Sequence, residues 1–400
     1  MKNKETSYYR KNILDLQQLL VLYPFLLLIG KIVRWTIMRG TLLNMSKGWG
    51  YVDPIMHGEW SFQLFGAEEL AEGDIGQGDN IYTVLRIFWY LWLKIPTDFV
   101  SFEVAITITW GIFLLLVLMG CRRYVTMSEG IYLALGVIVN SVYCFCLGKE
   151  VYQMLFFFLL YFVLRSGQIP GKMKVVLSGL IILLSVTLFR TYYALIFIFA
   201  GIFCLVVWTD KNTFRKSLKN KLSWKFILKV FLAMGLGYLI LLRIFWSASP
   251  GLFNRFRDAL LLASDATSSS NTYMENILSE HGNNIILITL EYMFAVLRMM
   301  FPVELVVLGP KYWFYILYQI IVTLGMIKSV RNWNQNTVEQ KIATTLFVGF
   351  MFMSATFEVD FGAWIRHGAV TMPMVLIMMG ICGRKPLVEV QSKHYFMEKD

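Results

Sequence analysis

Charge is scarce in this chain: only 16% of its 400 residues are Asp, Glu, Lys or Arg, where a soluble globular domain carries about 25%. Histidine is scarcer still. There are four, none paired at ligand spacing, which argues against a histidine-built metal centre. The five cysteines (Cys121, Cys144, Cys146, Cys204 and Cys382) lie inside or at the edge of apolar runs and form no disulfide framework. Cys144 and Cys146 are two apart, on different faces of a helix, so they do not pair as metal ligands. The sequence has no P-loop pattern for ATP, and no internal repeat, coiled coil or low-complexity linker stands out. Nothing leaves room for a separate soluble catalytic domain.

Apolar residues fill the chain instead. Hydrophobic residues make up 57% and aromatics 16%, with a mean hydropathy of +0.58. Runs of the ~17–25 residues needed to cross a bilayer recur along the whole length. They predict an all-α fold, a polytopic transmembrane helix bundle in which residues 1–400 form a single integral membrane domain. The net charge of +11 then reflects Lys and Arg collected in cytoplasmic loops, with no nucleic acid as partner. Lys2, Lys4, Arg10 and Lys11 precede an apolar run with no small-residue cleavage site after it, which predicts an uncleaved first helix.

The most basic loops set the threading. Residues 209–225 carry Lys211, Arg215, Lys216, Lys219, Lys221 and Lys225 against one Asp, and are read as cytoplasmic. Arg122 with Arg123, the segment Arg165 to Lys174, the loop Lys328 to Lys341 and the tail from Arg384 agree. Residues 51–80 contain seven acidic residues and no Lys or Arg, and are read as external. The spans that satisfy these anchors are 13–33, 101–120, 131–148, 151–165, 174–189, 192–208, 226–246, 312–328, 341–357 and 366–383. About ten spans put both termini in the cytoplasm of a plasma membrane. Two aromatic-rich stretches, 81–95 and 285–308, would invert the downstream loops if they spanned. They are expected as interfacial or re-entrant helices on the outer face, within a first external loop (34–100) and a second large one (247–311).

With that topology, the ionisable residues nearest the membrane gather on the outer face. Lys149 and Glu150 occupy the turn before span 151–165, and Arg190 lies in FRTYYA (189–194). Asp360, Arg366 and His367 lie in EVDFGAWIRHGA (358–369), and Arg298 precedes Phe301-Pro302. Each has a plainer reading. A lone Arg snorkels to headgroups, Lys149-Glu150 can be a polar turn, and Tyr192 and Tyr193 can belong to an interfacial aromatic belt. Together, however, arginine forks suit a diphosphate, and a neighbouring carboxylate or imidazole can accept a proton from a sugar hydroxyl. That set fits glycosyl transfer from a lipid diphosphate in which arginines, rather than a metal, stabilise the leaving group. The acidic pair of metal-dependent soluble glycosyltransferases is absent.

The pieces GKEVYQMLFFFLLYFVLR (148–165), FRTYYALIFIFAG (189–201), Phe301-Pro302 with KYWFYILYQ (311–319), and E-x-D-x-G-x-x-x-R-H (358–367) resemble the Wzy-type bacterial polysaccharide polymerases. That wider group includes O-antigen ligases and EpsG-like proteins. The last motif is the most specific. The resemblance implies an enzyme on the outer face of the plasma membrane that joins undecaprenyl-diphosphate-linked repeat units without cofactor, metal or nucleotide sugar. A flippase and a chain-length regulator of the same pathway would be its partners. The chain departs from ligases in lacking a large external domain with a conspicuous His. The expected roles are Arg190 and Arg366, helped by Arg298, on the diphosphate. Asp360 or His367 acts as base, with Asp360 preferred because a carboxylate is ionised at neutral pH. Glu150, Lys149, Tyr192 and Tyr193 shape the sugar site. Two alternatives stay open: a GT-C-type lipid-phosphate sugar transferase using Asp53 or Asp74, and a lipid-linked oligosaccharide flippase.

Overall fold

A computed structural model of the protein describes residues 13–34, 99–146, 150–188, 190–209, 224–248, 274, 277–278, 284–358 and 361–382. Most of the first external loop, including 81–95, lies outside this set, as do Lys149 and Asp360. The described chain is mostly helical: α1 (Leu16–Ile32), α2 (Phe99–Met119), α3 (Met127–Tyr143), α4 (Glu150–Arg165), α5 (Gly171–Leu188), α6 (Ala194–Thr209), α7 (Trp224–Ala248), α8 (Ile285–Met300), α9 (Glu304–Val307), α10 (Trp313–Arg331), α11 (Val338–Phe357), α12 (Phe361–Ala369) and α13 (Met372–Met378). Single 3-10 turns at Thr191–Tyr193 and Pro310–Tyr312 lead into α6 and α10. The all-α expectation omitted one small feature. Strands β1 (Ile13–Asp15) and β2 (Tyr124–Thr126) pair antiparallel with Leu14 opposite Val125, tying the start of α1 to the start of α3.

By length and composition, four helices can cross a membrane: α5, α6 with its 3-10 turn, α7 and α10. The broken pair α12–α13 makes a fifth. Their outward faces show why. On α7, Leu228, Leu232, Leu236, Ile240 and Ile244 are all exposed at four-residue spacing, so an unbroken apolar stripe faces away from the bundle. A solvent of hydrocarbon tolerates such a stripe and water does not.

Helix starts are set by local chemistry. Thr126 with Glu129, and Thr337 with Gln340, form reciprocal capping boxes that open α3 and α11. Asn284 caps α8, accepting from the amides of Ile286 and Leu287. The expected last span, 366–383, is broken instead: α12 and α13 meet at 66°. Pro373 in the first turn of α13 has no amide to continue the ladder, and Thr371 turns its hydroxyl back to the Gly368 carbonyl at 2.6 Å.

Packing within the bundle relies on small residues, as close helix contact in an apolar solvent requires. A Cβ at Gly349 of α11 would meet the Ile196 carbonyl of α6 at 2.7 Å and the Ala200 amide at 3.2 Å. A Cβ at Gly30 of α1 would meet Ser141 of α3 at 2.5 Å, and Ser141 donates to the Leu27 carbonyl at 2.8 Å. Because the helices alternate in direction, the ends of α1, α3, α5 and α11 meet the starts of α2, α4 and α6 at one end of the bundle. At the opposite end the Cys121 and Cys382 sulfurs lie 2.9 Å apart, and Arg122 N donates to the Ile381 carbonyl.

Candidate functional site

Five ionisable side chains meet where those ends converge. Glu150 lies in the first turn of α4, where the helix dipole favours a carboxylate. Arg366 and His367 lie in the last turn of α12, where it favours a cation. Arg190 stands in extended backbone between α5 and the 3-10 turn (φ −143°, ψ 114°), its amide bonded to the Ser185 carbonyl. Glu358 leaves α11 as its C-cap, its amide bonded to Ser354 O at 2.7 Å.

The five form an alternating row. Arg366 Nη1 is 3.6 Å from Glu150 Oε1, and the same oxygen is 3.7 Å from His367 Nε2. On the other side of the ring, His367 Nδ1 is 2.6 Å from Glu358 Oε1, which is also 3.9 Å from Arg190 Nη1. One oxygen of each glutamate is therefore shared between an arginine and the imidazole. The short Nδ1 contact to a carboxylate places the ring proton on Nδ1 and leaves Nε2 as the acceptor. Glu150 and His367 are nearly sealed, with side-chain exposures of 2% and 4%, whereas Arg366 retains 17%. Two arginines balance two carboxylates, so with a neutral imidazole the row carries no net charge. Backbone contacts hold α12 in place: Cys144 Sγ donates to the Arg366 carbonyl at 3.6 Å and Gln153 Nε2 to that of His367 at 3.5 Å.

Of the residues expected at the site, the fold brings Glu150, Arg190, Arg366 and His367 together. Tyr192 joins them. The Arg190 guanidinium lies over its ring at 5.3 Å and donates to its hydroxyl, and the ring stacks on Phe357 at 4.3 Å. Tyr193 turns into the core, edge-on to Phe350. Arg298 stands apart, forked onto Glu304 through two bonds of 2.6 and 2.7 Å. The Phe361 ring, at the start of α12, lies 5.9 Å from the Arg298 guanidinium. Lys149 and Asp360 lie outside the described residues.

Glu358 has no role in the sequence reading although it opens the E-x-D-x-G-x-x-x-R-H motif. A second buried ionic group was also missed. Glu103 of α2 accepts from Arg34 Nε at 2.8 Å and Lys31 Nζ at 3.1 Å. Arg34 also donates to the Val142 carbonyl at 2.9 Å, and Lys31 to that of Phe145. These contacts brace the end of α3 that carries Cys144. The sequence signal was present, in two cations closing one apolar run and a lone Glu opening the next. Among the described residues no group of three or more His, Cys, Asp or Glu side chains could hold a metal ion. No protein-family model, no curated protein and no solved structure matches this chain.

Proposed function

We propose that this protein is a membrane polysaccharide polymerase that joins lipid-diphosphate-linked oligosaccharides by metal-independent glycosyl transfer. The carrier would be undecaprenyl diphosphate and the setting the outer face of a bacterial plasma membrane, with about ten spans and both termini in the cytoplasm. The observation that carries this reading is the alternating row Arg366–Glu150–His367–Glu358–Arg190 at one end of an apolar helix bundle.

In the reaction, Arg190 and Arg366 hold the diphosphate of the donor. A hydroxyl of the acceptor sugar attacks the donor's anomeric carbon as the bond from that carbon to the diphosphate oxygen breaks. The leaving lipid diphosphate keeps the electron pair, and the arginines offset the charge that develops on it. The hydroxyl proton passes to His367 Nε2, the acceptor face of a ring whose other nitrogen is held by Glu358. Glu150 faces Nε2 and Arg366 and stabilises the imidazolium once the proton has arrived, and the Tyr192 ring and hydroxyl position Arg190.

The test is reconstitution. Purified protein given only lipid-diphosphate-linked repeat units, without nucleotide sugar or divalent metal, should produce a ladder of longer chains on a gel. Folded protein that makes no ladder from its native repeat units would move the weight to a single-sugar transferase or a flippase.

A further inference from the structure

The row has a property beyond its parts: each glutamate sets one carboxylate oxygen between an arginine and one nitrogen of the imidazole. Arg190 Nη1 and His367 Nδ1 share Glu358 Oε1 at 3.9 and 2.6 Å. Arg366 Nη1 and His367 Nε2 share Glu150 Oε1 at 3.6 and 3.7 Å. Among the described residues the other polar groups beside His367 are few. From the end of α3 comes the Cys144 thiol, on the Arg366 carbonyl. From α4 comes the neutral Gln153. From the turn before α6 comes the Tyr192 hydroxyl, bonded to Arg190. Among the described residues the two glutamates are thus the only anionic carboxylates in contact with the ring, and both are partly neutralised by arginines.

We propose that binding of a diphosphate with a free terminal phosphate, the product form, to Arg190 and Arg366 is coupled to one proton on His367; the esterified donor lacks that additional negative charge and leaves Nε2 free to act as base. This rests on the reading of those arginines as the diphosphate site. An anion drawn to the guanidinium groups weakens their hold on Glu358 and Glu150. Both carboxylates then act on the imidazole less compensated, and the anion adds its own negative charge near by. A proton from the medium binds Nε2 and restores part of the balance. By linkage, anything that raises proton affinity in the complex makes the complex tighter as pH falls. The consequence for catalysis is an order of events. A site that is empty or holds the esterified donor keeps the imidazole neutral. A bound product diphosphate keeps it protonated, so the proton taken from the acceptor is retained until the lipid diphosphate leaves.

The test uses full-length protein in detergent and inorganic pyrophosphate as the probe. Calorimetric titrations near pH 7 in buffers of different ionisation enthalpy count the protons exchanged on binding. Wild type should take up about one proton more than His367→Gln, and its affinity relative to that variant should rise by up to about tenfold per unit fall in pH. Glu358→Gln supplies an independent variant. It removes the buried carboxylate that competes for Arg190, so pyrophosphate should bind at least about fivefold more tightly, with smaller proton uptake. A merely structural role for Glu358 would weaken binding instead. Equal proton counts in wild type and His367→Gln, both binding pyrophosphate, would overturn the coupling and leave the anion site standing. No binding by folded wild type would overturn both.

Discussion

The buried group of Lys31, Arg34 and Glu103 offers a test of the architecture that does not depend on any activity. Replacing Glu103 by Gln preserves its shape and removes its charge. The Arg34 side chain is 1% exposed and Lys31 16%, so two largely buried cations would lose the carboxylate they share. Removing one partner of a buried pair costs about 3–5 kcal/mol, because the remaining charge stays out of water. Arg123 is the internal control. It pairs with Asp15 at 3.5 Å, and the two side chains are 58% and 25% exposed, so solvent screens the pair and Arg123→Gln should cost no more than about 1 kcal/mol. Thermal unfolding of the detergent-solubilised variants should show a drop of several degrees for Glu103→Gln and little for Arg123→Gln. A combined Arg34→Met, Glu103→Leu variant should recover much of the loss, since the more buried cation leaves with its partner. Indistinguishable melting of Glu103→Gln and Arg123→Gln would show that the brace at the end of α3 is not as dry as its burial indicates.

Other tests bear on the site and the packing. Arg366→Ala should lower chain extension by roughly 100- to 1000-fold, the usual loss when one donor to a developing negative charge is removed, at unchanged protein level; a fully active variant would remove Arg366 from the mechanism. Gly349→Ala should destabilise by about 1–3 kcal/mol through overpacking against α6. Gly201→Ala, whose Cβ would meet nothing within 4 Å, should be neutral or slightly stabilising, and equal melting of the two would refute the close approach. Mild oxidation with copper-phenanthroline should join Cys121 to Cys382, whose sulfurs lie 2.9 Å apart. Peptide mass spectrometry should find that link and lose it in Cys121→Ser; a link from Cys121 to any other cysteine would contradict the arrangement at that end of the bundle.

Much of the helical layout was legible because an apolar run records where a helix can face lipid. The expected segments 151–165 and 341–357 differ from α4 and α11 by at most three residues at either end. The expectation failed where a local feature outweighed the run. Segment 131–148 stops at Tyr143, where the amides of both Cys144 and Phe145 turn back to the Asn140 carbonyl. Segment 366–383 bends ahead of Pro373. The site was half legible. Charges at the ends of apolar runs flagged Glu150, Arg190, Arg366 and His367 as costly and therefore informative. Their partners were not, since Glu358 and Glu103 read as ordinary polar residues bordering a span until another helix end is set against each.

Composition and run length alone determined that the chain is helical and apolar on its outside. Burying backbone polar groups without water leaves few alternatives to the helix, and that constraint acts on each segment separately. Which side chains meet depends on something no single segment holds. Gly349 and Gly30 decide how closely helix pairs approach, and the break before Pro373 aims α12 across the bundle. Only those tertiary facts place one oxygen of Glu358 and one of Glu150 between His367 and two arginines from distant parts of the chain. A few ångströms separate a set of scattered charges from a coupled row, because electrostatic interaction in a poorly screened interior depends on distance and desolvation rather than on composition.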